Sequence, residues 1–395
     1  MYEVYAILKA VIRFLPQRDE YVLWYVDPGG VHSTSLSLRR DGGLEFRRVR
    51  DMPRITKAPL IAALHPSYAW SAVVPVPHGG DGASSVYKSE VGHLLEYATR
   101  KYRPVAAKAL EVNELDAVVV DAYVGEFFPR AARGVRPVPR VYEGSRRKSE
   151  LAREQILCVT FATRAVFELL APHFKVNREV FVTDAWRAEA MLLAEVEACP
   201  LQYVALDPSG SYRYTIASHG ATSRAEGVRG MPLTRERFEW QAEMPITLLS
   251  KAWHLDQATG EAVFRKFFRE QFSSAHINSF FTKTLAPARQ SFFDAVSFAR
   301  IQGTPRAKGV RGNVWVRGAS HLPFVAFPYS RGATRIASLP AQEVLERLGV
   351  HTRMPNHDAE ALFVRLAPFL EYDRLARPMG ELHQFLRRCI HWMFS

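Results

Sequence analysis

Cysteine is scarce in this sequence: 3 among 395 residues, Cys158, Cys199 and Cys389. They show no metal-type spacing and cannot all pair with one another, which excludes a disulfide-stapled framework and makes a reduced, cytosolic setting the simplest reading. Long apolar runs are missing too. No stretch approaches the roughly 18 uninterrupted apolar residues of a spanning helix. The opening MYEVYAILKAVIRFLPQRDE lacks the basic region and small-residue cleavage site of a signal peptide. His65, His78, His93, His254 and His321 have no paired metal spacing, and Ser33, Ser209 and Ser320 lack the context of a nucleophile elbow. No catalytic triad follows from the sequence.

Acidic residues are the minority charge, 40 against 52 Lys+Arg, for a net charge of +12. That balance favours anionic partners, either nucleic acid or the negative leaflet of a membrane. The basic residues are scattered, however, and the densest run, GSRRKSELARE, has acids beside it. With no zinc-finger spacing or RNP-like aromatic motif, no nucleic acid is expected as a partner.

What is present is a repeat. YVLWYVDPGG (21–30) and YVALDPSG (203–210) are each a short apolar run ending in Asp-Pro-x-Gly, followed by a second, Ser/Thr/Tyr-rich run. Asp27 and Asp207 lie 180 residues apart. Strand patterning on both sides of each turn separates this from a chance turn composition. HSTSLSLRR and LEFRRVR extend the first copy into a meander; SYRYTIASHG and TSRAEGVRG echo it in the second. Between them lies a different unit. SEVGHLLEYATRKY reads as a helix, ALEVNELDAVVVDAYVGEF as two strands, VRPVPRVYEG as another, KSELAREQI as a helix, LCVTFA as a strand and TRAVFELLAPHF as a helix. The helix AWRAEAMLLAEVEA then leads into the second copy, and a helix-rich stretch follows from about Phe238 to Arg300.

These motifs, in this order, resemble the actin-like ATPase superfamily. VDPGGVHSTSLSL looks like its first phosphate hairpin, LDPSGSYRYTI like its second and VWVRGASHLP like its adenosine segment. The inserted unit, through DAVVVDAYVGEFFP and ILCVTFATRAVFELLAPHF, is similar to the SHS2 module of the FtsA/PilM-like branch. The resemblance implies an α/β, two-lobed actin-like (ribonuclease-H-like) fold. Its divisions are a first lobe over 1–85, an inserted α+β SHS2-like subdomain over 86–176, a second lobe with return helices over 177–378 and a C-terminal amphipathic helix over 379–395.

By the same resemblance, Asp27, Gly29, Gly30 and Ser33 would meet a nucleotide from the first hairpin, Asp207, Gly210 and Arg213 from the second, and Gly318 and Ala319 from the third segment. Asp27 and Asp207 would hold Mg²⁺. The pattern is eroded, though. Ser209 and Ser211 stand where the family usually has glycine, Tyr212 adds bulk where a phosphate would lie, and Pro28 and Pro208 each remove a backbone donor. No water-orienting Gln or Glu stands near either aspartate, as hydrolysis requires. Glu261, Arg265 and Lys266 fit a solvated charged face better than a nucleoside contact. ATP and Mg²⁺ are therefore expected to bind weakly or not at all.

The C-terminal ELHQFLRRCIHWMFS is strongly amphipathic. Leu382, Phe385, Leu386, Cys389, Ile390 and Met393 share a face, with Trp392 and Phe394 at its margins; Gln384, Arg387, Arg388 and His391 lie opposite. Such a helix lies in an anionic membrane surface or docks on its own core. Because FtsA ends in such a helix, the expectation is a peripheral anchor on the inner face of the cytoplasmic membrane. The first helix repeats the theme through Val4, Ile7, Leu8, Val11, Ile12 and Leu15. The functional expectation is a membrane-associated, FtsA-like scaffold in bacterial cell division, with protein partners and self-association. A PilM-like role in type IV pilus assembly and an active ATPase or sugar-kinase-like enzyme are the alternatives.

Overall fold

The computed structural model describes residues 20–38, 44–48, 58–76, 88–127, 130–131, 154–175, 179–199, 201–207, 210–216, 233–238, 240–268, 274–297, 312–319, 322, 328–331, 334–350 and 356–394. The expected N-terminal helix, the GSRRKSELARE run up to Arg153, the VRPVPRVYEG strand and the TSRAEGVRG strand lie outside the described residues.

The repeat is built as two sheets of like topology. In the first lobe β1 (Glu20–Asp27), β2 (Gly30–Leu38) and β3 (Leu44–Arg48) form an antiparallel meander. β4 (Leu60–Leu64) and β9 (Val180–Asp184) then add in parallel beside β1, giving the order β3-β2-β1-β4-β9. In the second lobe β11 (Leu201–Ala205), β12 (Ser211–Ile216) and β13 (Leu233–Phe238) form the meander. β14 (Gly312–Arg317) and β16 (Thr334–Ser338) add in parallel beside β11, with β15 (Tyr329–Arg331) at the edge. Three antiparallel strands followed by two parallel ones, twice in one chain, make this a two-lobed actin-like (ribonuclease-H-like) α/β fold with an inserted α+β unit.

That unit is a three-stranded antiparallel sheet of order β5-β8-β6, formed by β5 (Ala69–Pro75), β6 (Ala117–Phe127) and β8 (Glu154–Thr163). β5, from the span read as first lobe, is one of its two edge strands. ALEVNELDAVVVDAYVGEF holds one long strand rather than two. Its opening residues complete helix α1 (Lys88–Leu110), which runs through Pro104 on its exposed side, and a register shift between Val119 and Asp121 bends β6. The end of KSELAREQI is likewise strand, since β8 begins at Glu154. Helix α2 (Arg164–Lys175) follows β8, and two short strands, β7 (Arg130–Ala131) and β10 (Ala198–Cys199), pair in parallel.

Helix α3 (Ala185–Val196) is capped by Asp184, whose side chain accepts from the N–H groups of Trp186 and Arg187. All of it except Glu195 is buried, as expected of a helix enclosed on every side. Its core joins residues of both lobes, from Tyr21 and Ile61 to Tyr203 and Tyr214. α4 (Met244–Trp253), α5 (Gln257–Phe268) and α6 (Ala275–Ser297) pack on one another through a cluster around Leu249 and Phe281, and α6 packs against the second sheet through one around Trp240 and Phe292. α7 (Ala341–Arg347) and α8 (Asn356–Glu371) return across α3. α9 (Gly380–Phe394) closes the chain against the inserted unit.

Candidate functional site

The parallel strands of both lobes end at one cleft, with a cavity of 1360 Å³. Alternation along β1 decides what faces it. Leu23 belongs to the core cluster that also holds Ile61 and Ala63, whereas Val22, Trp24 and Val26 point to the opposite face, under Val166 and Leu170 of α2. The cleft is lined by Tyr25, His32, Thr34, Phe46 and Ile61 from the first lobe, and by Asp207, Arg317 and Gly318 from the second. α8 closes it with Glu360, Ala361, Val364, Arg365 and Pro368.

The first hairpin is tight, with Asp27 paired to Gly30 and Gly30 at φ +124, where glycine is favoured. The Asp27 carboxylate folds back onto its own turn. Its Oδ1 accepts from the Gly29 N–H at 2.8 Å and lies 3.4 Å from His32 Nε2. In the second hairpin Gly210, at φ +143, donates its N–H to the Asp207 carbonyl at 3.1 Å; Pro208 and Ser209 lie outside the described residues. Gly318, at φ +73, ends β14, and its N–H donates to Glu360 Oε1 at 2.9 Å. Ala319 beside it is partly buried against the second-lobe core.

Two of the expected ligand residues are turned elsewhere. Ser33 pairs with Trp24 across the hairpin, and strand partners share a sheet face. Ser33 belongs to the cleft lining, but by this register its side chain follows Trp24 toward the α2 side, and its Oγ is buried with no hydrogen-bond partner among the described residues. Arg213 forms an ion pair with Glu236 on β13 and donates to the Ala295 carbonyl. A phosphate would have to draw it from both. Glu261 and Arg265 pair with each other on an exposed turn of α5, the solvated face the sequence suggested.

A buried charged cluster that reaches the cleft through Arg317 and Tyr25 was not legible in the sequence. His65 follows β4, donates its N–H to the Val26 carbonyl and meets Trp186 edge-on at 4.9 Å. Its Nδ1 accepts from the Ser67 N–H at 3.1 Å, so a neutral ring carries its proton on Nε2. Burial pushes its pKa down to about 4, against Asp207 and with Arg317. Arg317 lies over the Trp186 ring at 4.3 Å and 3.4 Å from Glu189 Oε1. Burial lifts Glu189 to about 7 even with Arg317 beside it, and lifts the Tyr25 hydroxyl to about 12. Asp184, also raised by burial, lies 3.6 Å from Arg235 and accepts from the Tyr214 hydroxyl at 3.2 Å. The one sequence signal was the pair of charges, Arg187 and Glu189, near the start of the mostly apolar AWRAEAMLLAEV, whose third charge is Glu195. Among the described residues no group of three or more His, Cys, Asp or Glu side chains could hold a metal ion.

The tail residues meet a different fate from the one expected. Leu382, Leu386 and Ile390 are buried in the cluster formed by α1, β5, β6 and β8, with Phe385 and Cys389 packed against it. His383 Nε2 lies 2.8 Å from Asp121 Oδ1 on β6. Arg387 sits over the Phe174 ring at 5.6 Å and Arg388 is exposed; the side chains of Trp392 and Met393 lie outside the described residues. The apolar face an anchor would present to lipid is therefore covered by the protein itself. Among the described residues no helix is long and apolar enough to cross a membrane.

No family model matches the chain, and no curated protein matches it. Among solved structures it is similar to the PilM–PilN type IV pilus biogenesis complex, at 12% identity and a TM-score of 0.40, covering 94% of this chain and 99% of that one. A Bacteroides thetaiotaomicron protein with an actin-like ATPase fold matches at 8% identity and a TM-score of 0.28, covering 60% and 79%. The cytoplasmic domain of EpsL, an inner membrane component of the Vibrio cholerae type II secretion system, matches at 11% and 0.25, covering 57% and 74%. At these scores the fold rests on this chain's own strand order.

Proposed function

We propose that the chain is an actin-like scaffold that recruits protein partners at the cytoplasmic face of a membrane, and that its cleft does not turn over nucleotide. One observation carries this reading: Asp27 and Arg213, expected to meet Mg²⁺ and phosphate, are already engaged within the chain. Asp27 is bonded to its own turn and Arg213 to Glu236, while the Ser33 hydroxyl is turned to the α2 side. Phosphoryl transfer depends on preorganised groups aimed at the phosphate and its metal. This arrangement does not fit Mg-ATP.

The inserted unit, read as an SHS2-type module over 86–176, is the partner surface in this proposal. It exposes Tyr97, Val105 and Leu115, at 48%, 46% and 77% of their full accessibility. Membrane attachment then runs through a partner, because the apolar face of α9 is covered. The preference for cell division rested on that helix being free. With it packed, assembly of a pilus-type machine becomes the leading role and division the second.

Two experiments test the reading. Phosphate release from Mg-ATP should not exceed the protein-free control; sustained turnover would establish the enzyme alternative. A pull-down from cells should return an inner-membrane pilus or secretion component, and a filament-forming division protein in its place would restore the division role.

A further inference from the structure

Glu360 holds a place that the chain could have left to a ligand. Its Oε1 accepts from the Gly318 N–H at 2.9 Å, at the point where β14 ends in the cleft. It shares the lining with Arg317 and with a second acid, Asp207. It is the only acidic side chain that α8 contributes to that lining; the others are Ala361, Val364, Arg365 and Pro368. Burial pushes its pKa up, while the Gly318 N–H and Arg317 favour its charged form. A backbone N–H bonded to a carboxylate is in a charge-assisted bond, one of the stronger kinds available to it.

We infer that Glu360 is an internal anion that sets the cleft against phosphates: it takes the Gly318 amide and the field of Arg317 that an anionic ligand would otherwise use. The inference rests on the reading of the cleft as non-catalytic and names the residue that makes it refuse its ligand. An incoming phosphate would have to displace Glu360 or sit beside it and Asp207, and like charges brought together at a partly desolvated site are strongly disfavoured. Discrimination by an unfavourable neighbour needs no change in the hairpins.

The test is isothermal titration calorimetry with Mg-ATP and, separately, magnesium-free pyrophosphate. It uses the full chain as wild type, Glu360→Ala, Glu360→Gln and, as a charge control, Glu114→Ala, which removes an exposed acid. Wild type and Glu114→Ala should show no saturable binding. Glu360→Ala should bind at least about tenfold tighter than the limit set for wild type. Glu360→Gln should fall between, because its amide oxygen still accepts from Gly318 but carries no charge. Circular dichroism and melting curves establish that each variant is folded. A folded Glu360→Ala that binds no better than wild type overturns the inference and leaves the scaffold reading standing. Wild type binding Mg-ATP as tightly as Glu360→Ala overturns the inference, and turnover in the same sample overturns the scaffold reading as well. Should Glu360→Ala fail to fold, a folded Glu360→Gln decides: a gain supports the inference and unchanged affinity ends it.

Discussion

Arg187 and Glu371 meet inside the protein with charged atoms 2.6 Å apart and neither side chain exposed. The pair ties α3 to the end of α8. The Tyr123 hydroxyl of the inserted unit and the Thr183 hydroxyl of β9 both donate to Glu371, at different oxygens, so the network joins lobe, insert and return helices. Removing one member strands a buried charge, which costs about 3–5 kcal/mol. Arg187→Met and Glu371→Leu should each lower the urea midpoint sharply, while the double variant loses clearly less than the two losses added. Simple additivity would mean that the pair does not act as a unit.

The docking of α9 makes a second prediction. Leu386 is fully buried among residues of the inserted unit, so Leu386→Ala should cost about 2–5 kcal/mol. Deletion of 381–395 should lower the melting temperature and expose the cluster around Val91, Leu95 and Val124 to a hydrophobic dye. Flotation with anionic liposomes should not depend on this helix. An unchanged melting temperature together with lost flotation would reinstate it as an anchor.

His65 supplies a pH signature. Its ordinary value of 6.5 falls to about 4 in the folded chain. Between those values the unfolded state binds the extra proton, so the residue's contribution to stability rises with pH. It is lost as pH falls from about 6.5 to about 4, and amounts to up to about 3 kcal/mol. Glu189 acts in the opposite sense, since an acid raised to about 7 makes stability fall as pH rises from 4.5. The difference between wild type and His65→Gln isolates the histidine. It should grow from pH 4 to 6.5 and stay level above, as read by urea titrations across that range. A difference independent of pH would show that His65 titrates alike in both states.

The crossing of α4 and α5 makes a fourth. A Cβ at Gly260 would fall 2.1 Å from Ser250 Oγ. Gly260→Ala should therefore destabilise by about 1–3 kcal/mol through overpacking. Adding Ser250→Ala should recover most of that, because the Ser250 hydroxyl has no hydrogen-bond partner to lose among the described residues. Thermal melts of the single and double variants give the answer; no recovery would place the strain in the backbone.

The sequence by itself determined the features written in local patterns. The two strand–Asp-Pro-x-Gly–strand units were legible because alternation and turn chemistry act within a few residues. Gly30, Gly210 and Gly318 do take the positive φ values that glycine allows most easily. Tertiary structure alone decided what those units face. Which side of β2 carries Ser33 follows from its register opposite Trp24, and Arg213 was claimed by Glu236 on a strand about twenty residues away. Glu360 reaches Gly318 across 42 positions of sequence, a separation at which no local period carries information. The C-terminal helix shows the limit most clearly. Its periodicity fixes that one face must leave water, and lipid and a protein core satisfy that demand equally, so only the packing of Leu382, Leu386 and Ile390 against the inserted unit separates the two.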